Sequence, residues 1–371
     1  MSTTEKKNSN LQRARRAKND EFYTRIEDVE AELWHYRDHF RGKTVYLNCD
    51  DPRWSAFWRY FCLRFGELGL ERLIATHYTG VTDPGQPSFK IEAVRGRDDT
   101  AGDGVPYVDP ETGGVQTALS GDGDFRSDEC VELLEQADVV VTNPMFSLFR
   151  EYVTQLVEYD KKFVILGNNN AVTYKEIWPL IHGGQLWLGT IANKTMSFGV
   201  PDDYYAPENA VVDEFGRRVV KVPAISWFTN LDHAKRHEKL PLWKRYTPEE
   251  YPRYDNYDAI NVNKVKDIPM DYTETLSLTS DEVETKRSQG FVVVPASQPA
   301  SQRFTILNPA IGVPITFLDK WNPKQFEILG YSRNQHCPEA LKIHVGLDFS
   351  QPYVHGKAKY DRILIRQIVS G

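Results

Sequence analysis

The sequence predicts an α/β protein built on a mostly parallel sheet, and three observations carry that reading. Apolar strand-like runs alternate with amphipathic helical segments in a β-α-β rhythm, which implies right-handed crossovers. Val139-Val-Val-Thr142 is a β-branched run of the kind that suits a strand buried on both faces. The chain's 371 residues, 40% hydrophobic and 26% charged, can bury one large core and still carry an added region.

Taken in order, the first eighteen residues are polar and basic and read as a flexible tail, with no apolar stretch resembling a secretory signal. Thr24-Arg-Ile-Glu27 has the capping-box pattern and opens a predicted helix through about Phe40, with Ile26, Val29, Leu33, Tyr36 and Phe40 near one face. A strand over Thr44–Cys49 leads into the turn Asn48-Cys49-Asp50-Asp51-Pro52. Phe57, Trp58, Phe61, Cys62 and Phe65 recur at helical spacing within 54–68 and read as core. A second strand covers Arg72–Thr76.

Residues 80–123, rich in Gly, Asp and Pro around one alternating stretch at Phe89–Val94, read as an inserted hairpin or long loop. Helix 127–136, strand 139–142, helix 147–159 (with Ser147 as a cap) and strand 163–167 resume the rhythm. Further strands are predicted at 186–191 and 224–230. From about His233 the pattern changes to Pro, Tyr and charged residues, with short apolar runs at Phe291–Val294, Ile315–Leu318 and Ile343–Val345. This second part, 233–371, reads as a recognition region attached to an α/β domain spanning 19–232.

Bulk chemistry narrows the class. Cys49, Cys62, Cys130 and Cys337 lie far apart with no paired spacing, so neither a disulfide framework nor a zinc site is expected; a reduced, cytoplasmic setting is. No run of eighteen apolar residues predicts a membrane span. The net charge of −7 does not advertise nucleic-acid binding, yet charge is uneven. Basic clusters lie at Lys6, Lys7, Arg13, Arg15, Arg16 and Lys18, at Lys235, Arg236, Lys239, Lys244 and Arg245, and at Lys357, Lys359, Arg362 and Arg366. Such stripes can follow a phosphate backbone.

The most informative segment is Asn143-Pro144-Met145-Phe146 at the end of the apolar strand. Proline ends the strand, which puts the turn at the carboxyl edge where open α/β sheets bind ligands. Asn143 offers a side-chain carbonyl, Pro144 a peptide carbonyl, and Phe146 a flat apolar face. Two acceptors and one stacking surface suit a planar, amine-bearing ring such as adenine. Acceptors on the amino hydrogens favour a pyramidal nitrogen whose lone pair can meet an electrophile, a gain of the electrostatic kind. The acidic turn at Asn48–Pro52 suits a ligand with a sulfonium and an amino-acid head; no Gly-rich phosphate loop is present, which counts against NAD or ATP. Asp124-Phe125 fits an adenine amino group and ring, and Lys18–Thr24 adds aromatics before the first helix.

These pieces resemble the EcoRI modification methylase family of adenine-specific DNA methyltransferases. The resemblance rests on Lys18–Thr24, Asn48–Pro52, Gly123–Ser127, Val139–Tyr152, Tyr254–Ile260 and Gly312–Lys320, and extends from Lys18 to about Gly330. It implies a class I methyltransferase (Rossmann-like) fold with helices on both faces of the sheet. It also implies S-adenosylmethionine as cofactor, and methylation of the 6-amino group of an adenine flipped out of double-stranded DNA. By that resemblance Asn143, Pro144 and Phe146 hold the target base. The cofactor set is Phe22, Tyr23, Thr24, Asn48, Cys49, Asp50, Asp124 and Phe125. The region after 233 is then the target-recognition region, with the basic stripes on phosphates and a restriction endonuclease as a possible companion. Methylation of RNA adenine or of a glutamine amide, or an inactive DNA-binding relative, are the alternatives. Met145 stands where such motifs usually have a second proline, and no acid at the end of the second strand is assigned to the ribose.

Overall fold

The computed structural model describes residues 23–49, 51–79, 87–101, 104–200, 210–213, 218–296, 303–333, 336–343 and 349–369. Of the expected site residues, Phe22 and Asp50 lie outside this set, as do the basic tail and residues 344 and 345 of the last predicted strand. The chain divides into two compact units, Met1–His233 and Ala234–Gly371.

The first unit is a mixed α/β structure around one large sheet. Its main strands are β1 (Thr44–Leu47), β2 (Arg72–His77), β3 (Phe89–Val94), β4 (Val115–Ala118), β5 (Val139–Thr142), β6 (Lys162–Asn168), β7 (Lys194–Gly199) and β8 (Arg218–Thr229). Their spatial order is β7-β8-β6-β5-β1-β2-β3-β4. Only the centre is parallel: β6, β5, β1 and β2 run together, and every other pairing is antiparallel. The mostly parallel expectation therefore holds for four strands and fails at both flanks. The inserted segment explains one flank: β3 and β4 extend the sheet antiparallel beyond β2, as a hairpin does without a crossover.

Short-range signals set most element positions. Helix α1 (Ile26–Leu33) passes into a 3-10 turn at Trp34–His39, and Val29, Leu33, Tyr36 and Phe40 are all fully buried. The predicted capping box does not form; Arg25 is the cap residue and makes no side-chain cap bond. Ser55 caps α2 (Ala56–Leu63), accepting from the amides of Phe57 and Trp58 at 3.1 and 3.2 Å. The aromatic stripe Phe57, Trp58, Phe61 and Phe65 lies in the core with Val45, Leu47, Val139, Val141, Val164 and Leu166 from one face of the sheet. Ser127 caps α3 (Asp128–Gln136). After β5 the chain makes a 3-10 turn at Phe146–Leu148 and then enters α4 (Phe149–Glu158), whose cap residue is Leu148, not Ser147.

In the second unit, Ile260–Asn261, Ile311–Val313, Ile363–Gln367 and Phe326–Tyr331 form a four-stranded sheet in that order. Glu274–Ser277, Arg303–Ile306 and Val293–Pro295 form a three-stranded one. Ile315–Lys320, read from sequence as a strand, is a 3-10 helix; Pro314 stands at its cap and Phe317 and Leu318 are its buried side chains.

Candidate active site

The strand order places a topological switch beside β1. From β1 the chain crosses to β2 on one side, and it returns through α3 to β5 on the other. Open α/β sheets bind ligands in the crevice at such a point, outside the carboxyl ends of the strands. Here those ends are Asn48 after β1 and Asn143 after β5. The register pairs Val45 with Val139 and Tyr46 with Val140, so its continuation brings Asn48 level with Thr142.

Asn143 is 8% exposed and Pro144 is buried, while Met145 and Phe146 are half-buried. Phe146 packs against the main core, and the Leu148 amide donates to the Met145 carbonyl at 2.9 Å, closing the turn. Asn48 is buried and accepts from the Tyr152 hydroxyl of α4 through Oδ1. The Cys49 thiol approaches the same oxygen at 3.6 Å. The Asn48 Nδ2 is buried and has no hydrogen-bond partner among the described residues.

Asp124 and Phe125 reach this region because Gly123 crosses the end of β2. Gly123 has φ +80°, and a Cβ there would stand 2.3 Å from the His77 carbonyl oxygen, so only glycine fits. The Phe125 ring then meets Tyr152 edge to face, centroids 5.1 Å apart. Asn48, Cys49, Phe125 and Tyr152 are thus one contiguous cluster, with the Asn143 turn on the adjoining strand.

Not every expected acid is available to a ligand. Arg126 clamps the Asp124 carboxylate, Nε to Oδ1 at 2.8 Å and a terminal nitrogen to Oδ2 at 2.6 Å, and this ion pair holds its pKa below the usual aspartate value. Asp51, read from sequence beside Asp50 as a candidate for the amino-acid head, is committed too. It accepts from Arg53, from the Trp54 indole at 2.9 Å, and faces His77.

Tyr23 and Thr24 stand elsewhere along the same edge. Tyr23 exchanges backbone bonds with Gly199 of β7 at 2.9 and 2.8 Å. Gly199 pairs with Val219, six residues along β8 from Ile225, the partner of Asn168 at the end of β6. Tyr23 is therefore carried past the carboxyl edge of the parallel strands, three strands away from β5. Thr24 is buried.

Sequence reading missed Tyr152 and His77. Tyr152 sits in the stripe Phe149, Tyr152, Val153 and Leu156, where its spacing signals core and its hydroxyl signals nothing.

A strand-end Asn-Pro turn and a buried polar cluster lie at the switch point of an α/β sheet, where such sheets bind ligands, and comparison with known proteins states which class this one belongs to. The family model described as "Adenine-specific methyltransferase EcoRI" matches residues 10–295 and 306–368. The chain is 41% identical to the Type II methyltransferase M.EcoRI of Escherichia coli over 97% of its own length and 96% of that protein's. It is 35% identical to the Type II methyltransferase M.MpnI of Mycoplasma pneumoniae and 34% identical to M.MgeORF184P of Mycoplasma genitalium, covering 96% of this chain and 97% and 98% of theirs. No solved structure matches the chain. The chain belongs to the EcoRI modification methylase family of adenine-specific DNA methyltransferases, enzymes that need a methyl donor.

Proposed function

We propose that this enzyme moves the methyl group of S-adenosylmethionine to the 6-amino group of an adenine flipped out of double-stranded DNA. The observation that carries the reading is the Asn143–Phe146 turn at the switch point, one strand from the buried Asn48 cluster. Asn143 Oδ1 and the Pro144 carbonyl accept the amino hydrogens of the target base, and Phe146 stacks on its ring. The acceptors draw the nitrogen lone pair out of conjugation, so the amino group becomes nucleophilic without prior loss of a proton. As the N–C bond forms, the S–C bond of the sulfonium breaks to a neutral thioether, and the amino proton then leaves to solvent. When bound, S-adenosylmethionine supplies an electrophilic methyl group on a sulfonium. Asn48, Cys49 and Phe125 hold it at the end of β1, with Phe22, Tyr23, Thr24, Asp50 and Asp124 as the remaining members of the cofactor set. The Asn48 N–H, which has no partner among the described residues, supports that fit, because a buried donor without an acceptor is costly unless a ligand completes it.

A class I methyltransferase fold accords with this assignment. Gly167 of β6 lies under the Phe149 ring of α4, on the face opposite Val164 and Leu166, which supports helices on both faces of the sheet. The second unit is the target-recognition region in this reading. There Trp243 is 61% exposed, with the Lys244 ammonium 5.1 Å from its ring and Lys239 and Arg245 exposed nearby in sequence. Aromatic and basic groups together suit a nucleic-acid backbone and its bases. The basic stripe at the C-terminus supports it less: Arg362 and Arg366 are buried, Arg366 pairs with Glu327, and Arg362 donates to the Tyr360 carbonyl. A restriction endonuclease of the same site specificity is the companion this reading implies.

Expression in a methylation-free host, followed by single-molecule mapping of modified adenines, tests the proposal. One short sequence motif carrying N6-methyladenine at nearly every occurrence is expected. A genome without modified adenine would overturn it.

A further inference from the structure

We infer that Tyr152 is the positioning residue of the cofactor site: its buried hydroxyl fixes the Asn48 amide so that Nδ2 points as a donor at the amino-acid end of the methyl donor. The inference rests on the site reading given above and adds to it a residue and an atom.

Tyr152 is fully buried in α4, the helix that follows the target-base turn. Its hydroxyl donates to Asn48 Oδ1, and the Cys49 thiol approaches the same oxygen. A primary amide has an acceptor end and a donor end. With the Tyr152 hydroxyl and the Cys49 thiol directed at its oxygen, the NH2 end of Asn48 is left without a partner among the described residues. Burial pushes the Tyr152 hydroxyl well above the ordinary phenol pKa, so it stays protonated and stays a donor. The Phe125 ring packs edge to face on Tyr152 at 83° and braces the phenol. One side chain therefore ties together the turn after β1, the Asp124-Phe125 loop and the helix of the base-binding turn.

The charge balance indicates which end of the cofactor the amide meets. Of the described acids of the two loops, Asp51 and Asp124 are each paired with an arginine, while Asp122 is exposed and accepts from the Asp124 amide. A carboxylate can therefore approach the lone amide donor without meeting either Asp51 or Asp124 uncompensated. The amino-acid end of the methyl donor carries the cofactor's carboxylate, and an N–H to a charged acceptor is the stronger kind of bond.

Calorimetry on the full chain with two probes tests this. S-adenosylhomocysteine has the amino-acid end and 5′-methylthioadenosine lacks it. Tyr152→Phe keeps the ring and loses the hydroxyl; it should weaken S-adenosylhomocysteine about tenfold, a typical loss for a hydrogen bond to a charged group, and leave 5′-methylthioadenosine within about twofold. Asn48→Asp keeps the acceptor for Tyr152 but replaces the donor with a negative oxygen, and should weaken S-adenosylhomocysteine about a hundredfold or more while sparing 5′-methylthioadenosine. Should Tyr152→Phe unfold, the selective loss in Asn48→Asp decides the matter. Equal losses for both probes, or no loss for either, would overturn the role of Tyr152 and Asn48 alone. A wild-type chain that binds neither probe would overturn the cofactor site and this inference with it.

Discussion

Asp51 and His77 face each other across the carboxyl ends of β1 and β2, Oδ2 to Nδ1 at 3.3 Å, and Arg53 bridges the pair. Its guanidinium holds both oxygens of Asp51 and also lies 3.3 Å from the other ring nitrogen of His77. The turn after β1 is thus pinned to β2 by a compact polar knot. Burial alone would raise the Asp51 pKa, but the side-chain and backbone donors of Arg53, with His77, hold it below the ordinary 3.8.

The sign of the pH effect follows from that depressed value. Stability from Asp51 is present above its unfolded pKa and is lost as pH falls through the lower, folded one. Asp51→Asn should cost about 1–3 kcal/mol at pH 7, the range for a hydrogen-bonded charged group. The gap between variant and wild type should then close as pH drops below 3.8. Urea unfolding at neutral and acid pH measures it; a gap that does not change with pH would show that Asp51 is not ionised in the knot.

Asn143→Ala removes one of the two carbonyls assigned to the adenine amino group. Loss of an electrostatic contact made at the reacting nitrogen should lower turnover by about a hundredfold or more. Affinity for S-adenosylhomocysteine should stay within about threefold, since that site is built from other residues. A labelled-methyl assay beside calorimetry separates the two; unchanged turnover would remove Asn143 from the reaction.

Phe146 is half-buried and packs against the core, so its contribution to packing has to be separated from any contribution to DNA. Phe146→Ala should weaken productive binding of DNA by about 1–3 kcal/mol, the value of one base–aromatic stack. That is about fivefold to 150-fold in kcat/KM, with the melting temperature lowered by only a few degrees. A variant that melts early yet turns over normally would make Phe146 a packing residue only.

The elements were legible wherever the information is local. The stripe Phe57, Trp58, Phe61 and Phe65 and the apolar strand at Val139–Thr142 each depend on neighbours a few residues away. What was not legible depends on partners far along the chain. Glu32 looks like a solvent-facing acid of α1, yet it is fully buried and accepts from the Thr190 amide and hydroxyl and the Ile191 amide at 2.6–2.7 Å. Thr24-Arg-Ile-Glu27 matches the capping pattern, but Thr24 is buried and the helix starts one residue later, at Ile26 after Arg25. The antiparallel flank at β8 follows from its pairing with β6 and β7, which local sequence does not specify. In the candidate site, Asn143 and Asn48 were visible as strand-end residues, whereas the bond from Tyr152 of α4 to Asn48 spans 104 positions.

Lys239 and Arg245 are exposed, unlike Lys235 and Lys244, which pair with Asp319 and Glu250. If the second unit grips DNA phosphates, the exposed pair carries that contact. Replacing both with alanine should flatten the dependence of log K on log salt by about 1.8, or 0.9 per lost phosphate contact. Fluorescence anisotropy on a duplex from 50 to 200 mM salt reads the slope, and an unchanged slope would move DNA to another surface.

Met145 occupies the position at which comparable turns carry a second proline, and its backbone already accepts one. Its φ is −53° and its ψ 126°, within the range a pyrrolidine ring imposes and on the extended side that precedes the Phe146 turn. A proline compatible with the native angles stabilises mainly by restricting the unfolded chain. Met145→Pro should therefore raise stability by about 0.4–1 kcal/mol. Turnover should be kept or increased, because the Pro144 carbonyl and the Phe146 ring are then held on a stiffer support. Denaturant melts and single-turnover rates on the same preparation test both halves. A destabilised variant would mean that the half-buried methionine side chain contributes packing that outweighs the entropy gained from the ring.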